Sequence, residues 1–179
     1  MADRAPYKIW LMRVLFVTHV TACMFVLLMP LQTLPRAWAG PDLILALSFA
    51  WVLRRPEFVP LPLLAVVFLL CDLLFQRPPG LWAAILLLTS ESLRKRAPGL
   101  RDQTFVSEWL TVTTMLITAT LVYRLALALV FVEQAPIGLS LIHLLMTIFA
   151  YPFVALFSEV FLGVRKPAPG DLDTLGSRI

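Results

Sequence analysis

Six stretches of this chain are apolar almost throughout, and prolines, glycines or clustered charges separate them. They cover about residues 9–29, 42–54, 61–76, 81–95, 105–132 and 139–162. The first ends at Pro30, the second at Arg54-Arg55-Pro56, and the third opens behind Pro60 and Pro62. An α-helix needs about 20 apolar residues to cross a hydrocarbon core of roughly 30 Å. The first, fifth and sixth stretches meet that length, and the fifth is long enough to cross with tilt. The middle three are shorter. The second holds about 12 clearly apolar residues, or roughly 18 Å of helix. They are expected to cross as short helices extended by flanking Trp and Arg residues, with partial re-entry as the alternative. Asp42 stands where a helix N-cap is expected, with Pro41 before it. Pro152 falls inside the last stretch and predicts a kink. After Lys166 the chain turns to Pro, Gly and polar residues, so 167–179 reads as a disordered cytoplasmic tail behind a single transmembrane domain, 1–166.

Charge placement gives the expected orientation. With the N-terminus inside, twelve Lys and Arg residues fall on the inner side, the densest group being Arg94, Lys95, Arg96 and Arg101. Only Arg36 and Arg77 fall outside, while Arg124 lies within the fifth span. This is the positive-inside pattern, and an even number of crossings satisfies it. The net charge of +4 is therefore a topology signal and not a nucleic-acid patch, with weak attraction to anionic lipid heads as a by-product. Composition agrees: 60% of residues are hydrophobic and 15% charged, against about 45–50% and 25% in soluble domains. The expected fold class is an all-α polytopic membrane protein with six transmembrane helices, N-in and C-in, in an inner membrane. Arg4 and Lys8 precede the first apolar run, but a leader cut after Ala37-Trp38-Ala39 exceeds the usual length. A retained first span is expected.

Ionisable groups in lipid call for partners. Glu91, Glu108 and Glu159 fall near inner helix ends beside Arg94–Arg96 and Arg165-Lys166, which predicts interfacial pairing. In the outer half, Asp72 and Arg124 are expected to pair, or else to snorkel separately. Ser107, Thr111, Thr114 and Thr118 share one face of the fifth span. That face suits close helix contact, although the hydroxyls can also bond back to their own helix. His19 and Cys23 stand one turn apart, but no further His or Cys completes a metal set. His19 reads as a satisfied buried histidine, and Cys23 and Cys71 as small core residues. No phosphate loop, G-x-S-x-G or H-E-x-x-H occurs. No catalytic residue, metal or cofactor is expected.

The run Pro41-Asp42-Leu43-Ile44-Leu45 opens a span that continues to Arg54-Arg55-Pro56, then Asp72-Leu73-Leu74, then Arg77-Pro78-Pro79-Gly80-Leu81. It resembles the rod shape-determining MreD family, with its P-D-L span, its D-L-L and its proline-glycine turn. The likeness is strongest over 41–93. It departs where Phe68-Leu69-Leu70-Cys71 stands in place of the family's usual glycine. The resemblance implies a fold similar to the six-helix substrate-binding subunits of energy-coupling-factor importers. It also implies a non-catalytic scaffold of the bacterial elongation machinery. Its direct partner would be MreC, with the glycosyltransferase RodA, its transpeptidase partner and MreB filaments reached indirectly.

On that reading Pro41, Asp42, Pro79 and Gly80 shape one outer rim, which Asp42, Asp72 and Arg124 organise. A partner helix would dock on Thr111, Thr114 and Thr118. The alternative is a small-molecule transporter or substrate-binding subunit, which needs a polar cavity walled by groups such as His143, Arg124 and Asp72. An enzyme acting on lipid-linked precursors would need a catalytic set, and the chain carries no recognisable one.

Overall fold

A computed structural model describes residues 4–29 and 39–166. The expected tail at 167–179 and most of the first loop lie outside the described residues. Among the described residues six α-helices follow one another: α1 Arg4–Leu28, α2 Leu43–Arg54, α3 Leu61–Leu74, α4 Leu81–Arg96, α5 Phe105–Leu129 and α6 Ile137–Val160. Single 3-10 turns at Pro56–Phe58 and Pro98–Leu100 join α2 to α3 and α4 to α5. There is no strand among the described residues. Among the described residues three helical segments, Tyr7–Leu28, Phe105–Leu129 and Ile137–Val160, are long and apolar enough to cross a membrane, with mean hydropathies of 2.0, 1.7 and 2.0.

The short second helix has a physical explanation. α2 is 12 residues long, and every residue from Ile44 to Arg54 is buried. It stands in the middle, packed by α1, α4 and α6. Around it α3 pairs with α4, α4 with α5, and α5 with α6, while His19 of α1 lies edge-on to Phe157 of α6. A helix that is apolar all round belongs inside a bundle, and one shielded by neighbours has no bilayer thickness to match. Trp51 packs on Phe16 of α1 with ring centroids 5.3 Å apart. Phe49, Leu64, Phe68 and Tyr151 fill the rest of the centre. The outward faces of α1, α5 and α6 carry Trp10, Phe25, Leu125, Phe149 and Phe153, all exposed. An apolar surface of this extent suits lipid or another protein as its solvent.

Helix ends depart from expectation where the backbone reverses. α5 stops at Leu129 and not at 132, because Phe131 takes a left-handed conformation with φ +53°. α3 stops at Leu74, and Gln76 does the same. Gly80 has φ +84° just before α4, a region glycine enters without steric cost.

α6 continues through Pro152. Proline has no N–H for the carbonyl four residues back, here that of Ile148. The indole Nε1 of Trp109 on α5 donates to this carbonyl at 3.0 Å. The bond satisfies a carbonyl that lipid could not. Trp109→Phe should therefore lower stability by about 1 kcal/mol, and by clearly less when Pro152→Ala restores the helical partner. Unfolding the four proteins of this cycle checks it, and equal losses in both backgrounds would refute the link.

Candidate functional site

Polar side chains gather at the two ends of the bundle. At one end lie the C-termini of α2, α4 and α6, the N-terminus of α5 and Arg13 of α1. Arg13 reaches the carbonyl of Glu57 at 3.2 Å. Arg94 spans the turn after α2, donating to the carbonyls of Pro56 at 3.2 Å and Val59 at 2.7 Å. Arg55 holds the carbonyl of Arg165 at 2.9 Å.

Inside this end is a cluster of buried charges. Glu108 is 0% exposed and Arg54 4%. Arg54 Nε donates to Glu108 Oε1 at 3.2 Å, and the Tyr151 hydroxyl donates to the same oxygen at 2.8 Å. Arg54 Nη1 reaches the Ala155 carbonyl at 3.1 Å and Glu159 Oε2 at 3.0 Å. The ammonium of Lys166 stands 3.1 Å from Glu108 Oε2 and donates to the carbonyls of Leu100 and Gln103. Two cations meet two carboxylates, so the cluster is neutral overall. Nearby, Trp51 Nε1 donates to Ser158 Oγ at 3.2 Å.

Desolvating such charges is costly, and only close pairing offsets it. What the arrangement does is clasp α2, α5, α6 and the segment after α6 in one register. The expected interfacial pairing holds for Glu91, 3.7 Å from Arg94. Glu108 does meet Lys166, one of the expected cations, but it is wholly enclosed and pairs with Arg54 as well, and Glu159 pairs with Arg54. Arg54, counted in the sequence as a topology charge, is the centre of the cluster.

At the opposite end the expected rim residues are present, but their partners differ. Asp42 caps α2, its Oδ1 accepting from Leu45 N at 2.9 Å. Asp42 N donates to Thr147 Oγ1 at 2.9 Å, and His143 Nδ1 donates to the Gly40 carbonyl at 2.7 Å. These bonds pin the start of α2 to α6. Asp72 and Arg124 do not pair. Asp72, fully buried at the end of α3, turns its Oδ2 to the backbone N–H groups of Gly80 and Ala83, both at 3.0 Å. A carboxylate at a helix N-terminus meets unpaired donors and the positive end of the helix dipole. Pro79-Gly80 makes the turn that lets α4 begin over it. Arg124 instead reaches across the α5–α6 connection, to Ser140 Oγ at 2.6 Å and the Ala135 carbonyl at 3.2 Å. The Arg77 guanidinium lies over the rings of Phe75 and Trp82, at 5.6 and 5.8 Å. A cleft bounded by Asp42, Cys71, Phe75, Arg77 and Trp82 has about 10 Å³ of free volume, room for about one water molecule.

The hydroxyl stripe of α5 bonds within its own helix. Thr111, Thr114 and Thr118 each donate to the carbonyl four residues back, at 2.8, 2.9 and 2.8 Å. Thr114 and Thr118 face outward and Thr111 is half-buried. His19 donates likewise to the Leu15 carbonyl at 2.8 Å. Among the described residues no group of three or more His, Cys, Asp or Glu is placed to hold a metal ion. No family model, curated protein or solved structure matches this chain.

Proposed function

We propose that this chain is a non-catalytic membrane scaffold of the bacterial cell-elongation machinery, of the MreD kind. It would cross the inner membrane six times with both ends in the cytoplasm, and bind MreC directly. RodA, its transpeptidase partner and MreB would be reached through that contact. One observation carries the reading. The two short motifs behind the resemblance, Pro41-Asp42 and Asp72 with Pro79-Gly80, are both helix-capping devices at the same end of the bundle. Residues with that job specify a fold, and they leave the outward faces for association. The alternation of the helices supports six crossings, because the basic residues among the described ones, Arg77 and Arg124 apart, cluster at one end.

The outward stripe of Thr114 and Thr118 is the docking face this reading favours. Its hydroxyls are already bonded to their own helix, so a close helix contact there costs no unpaired donor. Photo-crosslinkers at Thr114 and Thr118 should give adducts with the single span of MreC. Adducts forming only from the α1 face would reject the α5 surface. Copurification of MreC in mild detergent, and rounding of cells on depletion, test the function itself. Rod-shaped cells after full depletion would refute it.

A further inference from the structure

The fold sorts the basic residues into two kinds. Arg13, Arg54, Arg55, Arg94 and Lys166 spend their donors on carbonyls and carboxylates of the bundle itself. Lys95, Arg96, Arg101 and Arg165 make no side-chain hydrogen bond or ion pair among the described residues, and Lys95, Arg96 and Arg165 are exposed.

These four share one corner. Lys95 and Arg96 end α4, and Arg101 follows the single turn Pro98–Leu100 that continues directly from it. The bonds from Lys166 to the carbonyls of Leu100 and Gln103 bring Arg165 to the same loop. Asp102 is the one acidic residue of that loop, so the corner keeps a surplus of positive charge. It also sits at the end of two membrane-length helices, where α5 begins and α6 finishes. Exposed Phe105, Val106 and Phe161 lie just inside it along the chain. Charged heads above apolar side chains match the two halves of a phospholipid at the headgroup level.

We infer that this corner is a binding site for the headgroup of an anionic phospholipid, held by Lys95, Arg96, Arg101 and Arg165 with its chains along the ends of α5 and α6. The inference requires only that the bundle sits in a bilayer, and it stands whether or not MreC is a partner.

The test uses the full chain in nanodiscs of phosphatidylcholine, or of phosphatidylcholine mixed with phosphatidylglycerol. Phosphatidylglycerol should raise the unfolding midpoint by several degrees, and native mass spectrometry should show it retained preferentially. Salt should shrink the rise, since exposed charges are screened. The Lys95→Gln/Arg96→Gln/Arg101→Gln protein should lose most of the rise and of the retained lipid. Lys8→Gln, removing a charge from α1, should keep both. Soluble glycerol phosphate should not reproduce the effect, because it lacks the chains. An unchanged response in the triple variant, or no preference for phosphatidylglycerol in the parent, overturns the site. So does binding of an acidic peptide where the lipid has no effect, which would assign the corner to a protein.

Discussion

Replacing Glu108 with alanine should cost on the order of 3–5 kcal/mol, as expected when one partner of a buried ion pair is removed. Arg54 is buried among the residues of α5 and α6 that it bonds. Without Glu108 it keeps Glu159, which is half-exposed and reaches only Nη1. The Tyr151 hydroxyl loses its acceptor in the same step. Removing both charges has a different expected outcome. In the Arg54→Met/Glu108→Leu protein nothing charged is stranded, because Lys166 is partly exposed and can turn to solvent. Most of the loss should be recovered, since apolar replacements of similar volume commonly match a buried pair. Unfolding of the purified proteins in detergent measures both effects. A single-variant loss below about 1 kcal/mol, the range of an exposed pair, would show that the cluster is hydrated.

Asp72→Ala should be the second most damaging change, at roughly 2–4 kcal/mol, because two charge-assisted bonds to backbone N–H groups vanish together. The donors are the N-cap residue Gly80 and Ala83 in the first turn of α4, and the carboxylate also balances its dipole. Asp72→Asn keeps an acceptor of nearly the same shape and should lose about half as much. The contrast tests capping against pairing across the bundle. If Arg124 were the true partner, exchanging the two residues, Asp72→Arg with Arg124→Asp, would restore what the single changes lose. The geometry predicts no restoration, because Arg124 is occupied at Ser140 and Ala135. Melting curves of the two single exchanges and the double decide the matter, and recovery in the double would reverse the assignment.

The helices and one cap were legible in the sequence because both depend on neighbours along the chain. Asp42 before an apolar run carries its own signal, and α2, uniformly apolar, has the composition of an enclosed helix. Asp72 also carried a signal: a carboxylate eight residues ahead of Gly80, in a proline-glycine turn that starts a helix. Reading Asp72 as half of an ion pair assumed that a buried charge must find an opposite charge, when backbone donors serve as well. Arg54, Glu108 and Lys166 could not be assembled from the sequence. Arg54 lies 54 residues from Glu108 and 105 from Glu159, and no periodicity connects positions on different helices. Counting Arg54 among the topology charges hid it further, since a residue can mark the end of a span and still turn inward. The hydroxyl stripe showed the opposite limit. The spacing of Thr111, Thr114 and Thr118 was plain, but spacing alone cannot tell a self-bonded hydroxyl from one reaching across.

The partners of α2 have a consequence for biosynthesis. Asp42, Trp51 and Arg54 find Thr147, Ser158 and Ala155 more than 100 residues later. At about 5–20 residues per second, that gap keeps α2 waiting on the order of 5–20 seconds after it leaves the ribosome. For about the first half of that time the arginine ending this 12-residue helix lacks Glu108, 54 residues on, and throughout it lacks the Ala155 carbonyl and Glu159. The last helix thus completes the second, and a nascent chain that stalls before α6 presents quality-control proteases with an unfinished centre.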